Sequence, residues 1–193
     1  MKVLVVIGHQ NQGSFCHAIT QTVVDQLEAD GHEVIYHDLY AEGFDPILTQ
    51  EELKAEEPAC PVVRQHISEL LSVDGIVIVH PNWWGGPPAM LRGWVDRVFR
   101  QGMVYRFTAD GPVGELAGKK ALVITTSNTP REVELELYGD PLENLWKTVI
   151  FGLVGLTDFL RRNFESVVMS SPEQRADWLA EAKRLAQERF PAE

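Results

Sequence analysis

The chain has 193 residues, enough for one substantial domain with a single core and short for two. Hydrophobic residues make up 45% and charged residues 23%, an ordinary globular balance that argues against wholesale disorder. The formal net charge of -11 speaks against an unaided binder of nucleic acid or anionic membrane. Phosphate backbones are held by clustered Lys and Arg, and here only the pairs Lys119-Lys120 and Arg161-Arg162 occur.

MKVLVVIGHQ has a short apolar run followed at once by polar residues, with no small-residue cleavage pattern, so it reads as a first strand and not a signal peptide. No stretch approaches the roughly 20 apolar residues of a membrane span. Cys16 and Cys60 form no CxxC or Cys/His zinc spacing and no disulfide framework, which places the chain by default in a reducing, cytoplasmic setting. Val3 to Gly8, Ile76 to His80 and Ala121 to Thr126 are short, β-branched and without polar alternation, the pattern of strands covered on both faces. Glu33 to Asp38 is more mixed and fits a strand nearer an edge, and a fifth strand is expected between Asp158 and Val168.

Helical periods lie between them. Phe15, Ile19, Val23 and Leu27 share one face of Ser14 to Asp30, which stops at Gly31. Further helices are expected over Val62 to Ser72, Pro88 to Arg100, Leu142 to Val154 and Pro172 to Phe190, the last opening on a Ser-Pro-Glu start signal. Glu51 to Pro61 is acidic and proline-broken, a surface excursion. With no repeat, low-complexity tract or linker, residues 1–193 read as one domain.

Strands alternating with helices imply a parallel α/β sheet covered on both faces, and five strands suit the doubly wound order 2-1-3-4-5. In that topology ligands sit at the carboxyl ends of strands one and three. The loops there are His9 to Ser14 and Pro81 to Pro87. The first matches neither GxGxxG nor GxxxxGK[ST], so neither a Rossmann dinucleotide site nor a Walker NTPase is supported. Its value is that a helix N-terminus holds phosphate with backbone N–H groups, aided by the Ser14 hydroxyl and His9; read blandly, Ser14 is only an N-cap. In the second, Gly85 and Gly86 bare the backbone, Pro87 and Pro88 stiffen the entry, and Trp83 and Trp84 supply planar apolar surface. A flat heteroaromatic ligand edged with donors and acceptors needs that combination. Adjacent tryptophans seldom both point into one core, which favours the functional reading over two core anchors, whereas Trp94 lies on a helix stripe and reads as core. The third loop, Thr125 to Pro130, is dense in hydroxyls and amides, which serve equally as ring-edge partners or loop formers.

These residues carry a resemblance. VLVVIGHQNQGSF, DLYAEGFDPILTQEEL and DGIVIVHPNWWGGPPAMLRGWVDRVFRQGMVY make the chain similar to the NAD(P)H:quinone oxidoreductases of the flavodoxin-like type. It is similar also to the related bacterial modulators of drug activity and to the ancillary subunits of potassium-efflux systems. The resemblance implies a flavodoxin-like three-layer sandwich and a homodimer with sites at the subunit interface. It implies a bound flavin and a ping-pong reaction in which NADH or NADPH delivers a hydride that a quinone later removes as two electrons. Carried over by position, it puts His9, Ser14, Phe15 and Cys16 on the phosphate and ribityl side of the flavin. Pro81, Asn82, Trp83, Trp84 and Gly85 fall beside the ring, and Thr125, Thr126 and Ser127 at its edge. Trp84 becomes the wall on which nicotinamide and quinone stack in turn. Where relatives carry Thr-Thr-Gly-Gly this chain has Thr125-Thr126-Ser127-Asn128. Where they carry a Tyr and a His for charge relay, the matching positions are Glu132 and Tyr138, which makes Tyr138 the relay candidate. The longer C-terminal extension of the mammalian subgroup is missing, so FMN is expected ahead of FAD. The alternative function is a regulatory flavoprotein subunit docked on a membrane transporter. His17, His32, His37 and His66 lack paired spacing and read as surface or capping residues, not metal ligands, and His80 either lines the crevice or closes strand three.

Overall fold

The structure, a computed structural model, describes residues 1–192. Five parallel strands form the central sheet: β1 (Lys2–Ile7), β2 (Glu33–Asp38), β3 (Gly75–Pro81), β6 (Lys120–Thr126) and β7 (Asp158–Phe164), in the order β2-β1-β3-β6-β7. Counted within the sheet, this is the expected 2-1-3-4-5. The three β-branched runs occupy the three middle positions, where both faces are covered, and the polar-mixed runs occupy the edges.

Alternation along the strands separates two cores. Val3, Val5, Ile7, Val77, Val79, Leu122 and Ile124 face α1 (Phe15–Ala29) and α6 (Pro172–Arg189). Leu4, Val6, Ile76, Ile78, Ala121 and Val123 face α3 (Pro61–Ser72), α4 (Ala89–Val98) and the helical run after Asp140. Trp94 is fully buried in this second core, as its stripe position required.

Three features lie outside the sequence expectations. The region read as a surface excursion contains α2 (Gln50–Lys54), whose Glu52 is buried against Arg97 of α4 with the Nη2–Oε2 pair at 2.9 Å. A β-hairpin, β4 (Tyr105–Thr108) and β5 (Gly111–Gly114), follows α4. It packs closely enough that a Cβ on Gly114 would lie 1.8 Å from the Val154 carbonyl carbon. The expected helix from Leu142 to Val154 is wound differently: α5 (Pro141–Glu143) passes into a π-helical stretch, Asn144–Phe151, and another π-helical turn, Val133–Leu137, precedes it. Among the described residues, no helix is long and apolar enough to cross a membrane.

Candidate functional site at the carboxyl end of the sheet

The chain leaves β1, β3 and β6 at the same end of the sheet, so the loops 8–14, 82–88 and 127–132 lie side by side at the crevice position of such a sheet. Topology alone places these three segments together; their side chains determine what the cleft can hold.

In the first loop the backbone folds back on itself. Ser14 N–H donates to Asn11 O, Gly13 N–H to Asn11 Oδ1 and Asn11 N–H to His9 Nδ1, each near 3 Å. Because His9 Nδ1 accepts, the neutral ring carries its proton on Nε2 and offers it outward. Burial, with the neighbouring His17, holds the His9 ring below the ordinary histidine range, so this neutral donor form dominates at neutral pH. Ser14 caps α1, its hydroxyl accepting from His17 N–H. The amides of Phe15 and Cys16, the first two of α1, make no hydrogen bond within the described residues, as expected for a helix start. The Phe15 ring turns away toward Phe164 and Trp178, with centroids 6.3 and 5.9 Å distant, and Cys16 is buried with its thiol 3.3 Å from Thr126 Oγ1. Burial pushes the Cys16 thiol up to about 12, so it is an inert packing group and not a nucleophile.

Four side chains, Asp38, His17, Gln12 and Ser14, form a network unsuspected from sequence. Asp38, at the end of β2, accepts from Gln12 Nε2 at 2.9 Å and His17 Nε2 at 3.0 Å on one oxygen, and from the Tyr40 and Ala41 amides on the other. His17 Nδ1 lies 2.8 Å from Ser14 Oγ. Asp38 is buried; the hydrogen bonds from Ala41, His17 and Gln12 outweigh that burial and hold its carboxyl below the usual range.

The second loop is a tight turn. Trp83 and Gly86 exchange both backbone hydrogen bonds, at 2.9 and 3.0 Å, and the central residues Trp84 and Gly85 have φ of 55° and 73°. Two successive positive φ values define a type I′ turn, natural for Gly but strained for Trp. Gly85 is required twice over, since a Cβ there would also meet Pro141 Cγ at 2.9 Å. The Trp84 indole is fully exposed, and Trp83 is partly exposed beside His9, with ring centroids 6.3 Å apart. Neither indole is therefore a core anchor. Asn82 braces the turn: its Oδ1 accepts from Gly85 N–H at 3.0 Å and its backbone N–H donates to Thr126 O at 2.7 Å. Pro81 ends β3, buried.

Thr125 and Thr126 point to opposite faces of the sheet, as neighbours on a strand must. Thr125 Oγ1 donates to Asn163 Oδ1 at 2.8 Å and accepts from Arg161, while Thr126 meets Cys16. Ser127 Oγ accepts from Asn163 Nδ2 at 3.2 Å. All three hydroxyls are thus engaged inside the chain. His80 belongs to the same buried layer: its Nε2 accepts from Trp146 Nε1 at 2.9 Å and its Nδ1 donates to Pro81 O at 2.8 Å. Full burial lowers it to about 4, with Arg161 adding to the effect, so it closes strand three as a neutral ring. Tyr138 follows the Val133–Leu137 turn, exposed, and makes no side-chain hydrogen bond to a cleft residue among those described. Asn82 Nδ2 instead meets Glu134, a residue the sequence did not single out.

Away from the cleft, His37 and His66 stack with centroids 3.9 Å apart beside Glu42 and Glu69. Trp94 Nε1 donates to His66 Nδ1 at 2.9 Å, which fixes the neutral ring's proton on Nε2, the atom that a cation would need bare.

Comparison with known proteins agrees with this arrangement. An FMN-dependent NADH:quinone oxidoreductase of Ralstonia nicotianae is 31% identical over 185 residues, covering 85% of this chain and 84% of that protein. NAD(P)H dehydrogenase (quinone) 1 of Cavia porcellus is 28% identical over 166 residues; these cover 75% of this chain, which spans only 60% of that relative's length. A solved structure from Streptococcus mutans UA159 superposes with a TM-score of 0.88 at 30% identity, covering 97% of this chain and 100% of that one. A family model described as flavodoxin-like fold matches residues 1–190, and the chain belongs to that family.

Proposed function

We propose that this chain is a flavin-dependent NAD(P)H:quinone oxidoreductase working with FMN, the cofactor named for its Ralstonia relative. The observation that carries the reading is the fully exposed Trp84 indole on a strained turn, at the same end of the sheet as a helix N-terminus with two unpaired amides. The donor set fits a flavin mononucleotide. The Phe15 and Cys16 amides suit its phosphate without any Lys or Arg, and the bare backbone at Gly85 and Gly86 suits a ring edge.

When bound, the flavin supplies two-electron chemistry, and the net reaction is NAD(P)H, a proton and a quinone giving NAD(P)+ and hydroquinone. This chain's residues bind and orient. His9 Nε2–H donates toward the phosphate and ribityl side, Asn82 keeps the turn's backbone in place, and Trp84 offers one face on which nicotinamide and quinone rest in turn. Stacking on an indole holds each planar partner with contact area and little directional demand, which suits two substrates sharing one position. Of the residues carried over from the resemblance, the side chains of Ser14, Phe15 and Cys16 hold the start of α1 while the Phe15 and Cys16 amides face the phosphate, and Thr125, Thr126 and Ser127 hold the end of β6.

We also propose that the chain acts as a homodimer. Exposed Leu53 and Phe107 border a hollow of about 1010 Å³ between α2, α4 and the hairpin, a face that mixes apolar side chains with Glu56, Glu57, Asp96 and Arg106 and that a second copy would cover. Light scattering coupled to size exclusion tests this, and a monomer at micromolar concentration would end it.

The function is tested by loading the purified chain with FMN and mixing it anaerobically with NADH or NADPH. Bleaching of the flavin band followed by recovery on adding a quinone is expected; no bleaching by either nicotinamide would sink the proposal. Mass analysis of the cofactor released from the protein as purified distinguishes FMN from FAD.

A further inference from the structure

Among the described residues, one buried side-chain oxygen lacks a hydrogen-bond partner, Glu134 Oε2. The other oxygen of that carboxyl accepts from Asn82 Nδ2 at 2.5 Å. The direction of the Asn82 amide follows from its other end. Gly85 N–H is a donor and must meet Oδ1, so the nitrogen must face Glu134. A strut therefore runs from the π-helical turn after β6, through Asn82, to Gly85, the residue that follows the strained Trp84 in its turn.

The turn needs such a strut. The two bonds between Trp83 and Gly86 close it on itself but do not set its direction relative to the sheet. Trp84 is fully exposed, so packing does not hold it, and its positive φ favours any rearrangement that relaxes the backbone. Asn82 has its own backbone anchored on Thr126 O, which leaves its side chain as the brace and Glu134 as the wall behind it.

We propose that Glu134 is a positioning residue for the cleft, fixing the Trp83–Gly86 turn through Asn82 and with it the direction of the Trp84 indole. The proposal rests on the reading of the cleft as a flavin and nicotinamide site. The acid form suits the role, because Oε1 still accepts from Asn82 while Oε2 carries a proton. Burial is the main cause that lifts this carboxyl above its usual range. Asp140, preceding α5, and Glu165, following β7, push the same way, while Arg161 on β7 and the Asn82 hydrogen bond oppose them. A glutamine presents the same acceptor to Asn82 without a titrating group, and an alanine presents none.

The test labels all five tryptophans with 5-fluorotryptophan and follows their 19F resonances, assigned by single Trp→Phe variants. Glu134→Ala is expected to move the Trp83 and Trp84 signals while Trp94 and Trp178 stay in place, and Glu134→Gln to return both to the wild-type positions. In parallel, FMN fluorescence quenching is expected to give a dissociation constant about tenfold higher for E134A and within about twofold of wild type for E134Q. Trp83 and Trp84 signals unmoved in E134A, or moved equally by E134Q, would overturn the proposal. If E134A does not fold, Asn82→Ala removes the strut from its other end and must displace the same two signals. A wild-type chain that binds no FMN overturns the flavin reading alone, since the resonance positions still decide the role of Glu134.

Discussion

Asp38 Oδ2 lies 3.0 Å from His17 Nε2, and this contact joins the end of β2 to the start of α1. The carboxylate accepts only, so His17 donates from Nε2 and turns Nδ1 toward the Ser14 hydroxyl. Gln12 ends on the same oxygen. One carboxylate thereby fixes the loop proposed to hold the cofactor's phosphate. Asp38→Ala is expected to cost about 2–3 kcal/mol of stability, since it strands several donors at once. It should also raise the dissociation constant for FMN more than that for riboflavin, which lacks the phosphate. Titration of both ligands into the variant checks this, and an unchanged ratio of the two constants would count against the anchoring role.

Trp84 offers a test in which stability and binding move in opposite directions. Trp84→Gly relieves the positive φ and is expected to stabilise the fold by about 1 kcal/mol, read as a higher melting temperature. The same change removes the stacking surface, so KM for NADH and for a quinone should both rise. A variant that is more stable and equally tight would show that the indole does not touch the substrates.

His80 predicts a pH dependence with a definite sign. Its folded value of about 4 lies below the ordinary 6.5, so between these values the unfolded chain binds the proton and the folded chain does not. The stability this group contributes is full above pH 6.5 and is lost as pH falls toward 4, by about 3 kcal/mol in all. Urea midpoints measured from pH 7 to 4 should fall more steeply for the wild type than for His80→Leu. Parallel slopes in that window would contradict the buried neutral ring.

The Arg97–Glu52 pair clamps the segment after β2 onto α4, with both side chains 5% exposed. Removing one partner leaves the other charge buried, so Arg97→Met or Glu52→Gln is expected to cost about 3–5 kcal/mol. The double variant should recover part of that loss, which a double-mutant cycle in urea would measure.

What was legible in the sequence follows from which forces are local. The runs around Val5, Val77 and Val123 announced their strands because both faces are covered and the pattern is carried by consecutive residues. β7 was faint because Arg161 and Asn163 replace apolar residues on its inner face to serve Thr125, Asp140 and Ser127. The hairpin from Tyr105 to Gly114 escaped because its strands are four residues long and largely exposed, so no alternation is imposed. The Asp110-Gly111 pair at its tip was the available signal. Winding of 144–151 as a π-helix leaves apolar spacing that still reads as an ordinary helix. In the cleft, the three loops were legible from topology, and Trp83 and Trp84 from composition. Asp38, His17 and Glu134 were not, because their roles come from convergence across 21 to 52 positions, which no local window contains.

The backbone at Trp84 has a consequence for the chain before any ligand arrives. A large apolar ring held out in water by a braced turn is a sticky point on the surface. Planar dyes, drugs and other aromatic compounds should adhere there weakly and without selection. The breadth of molecules such a protein tolerates would then be set by the shape of two residues in one bend.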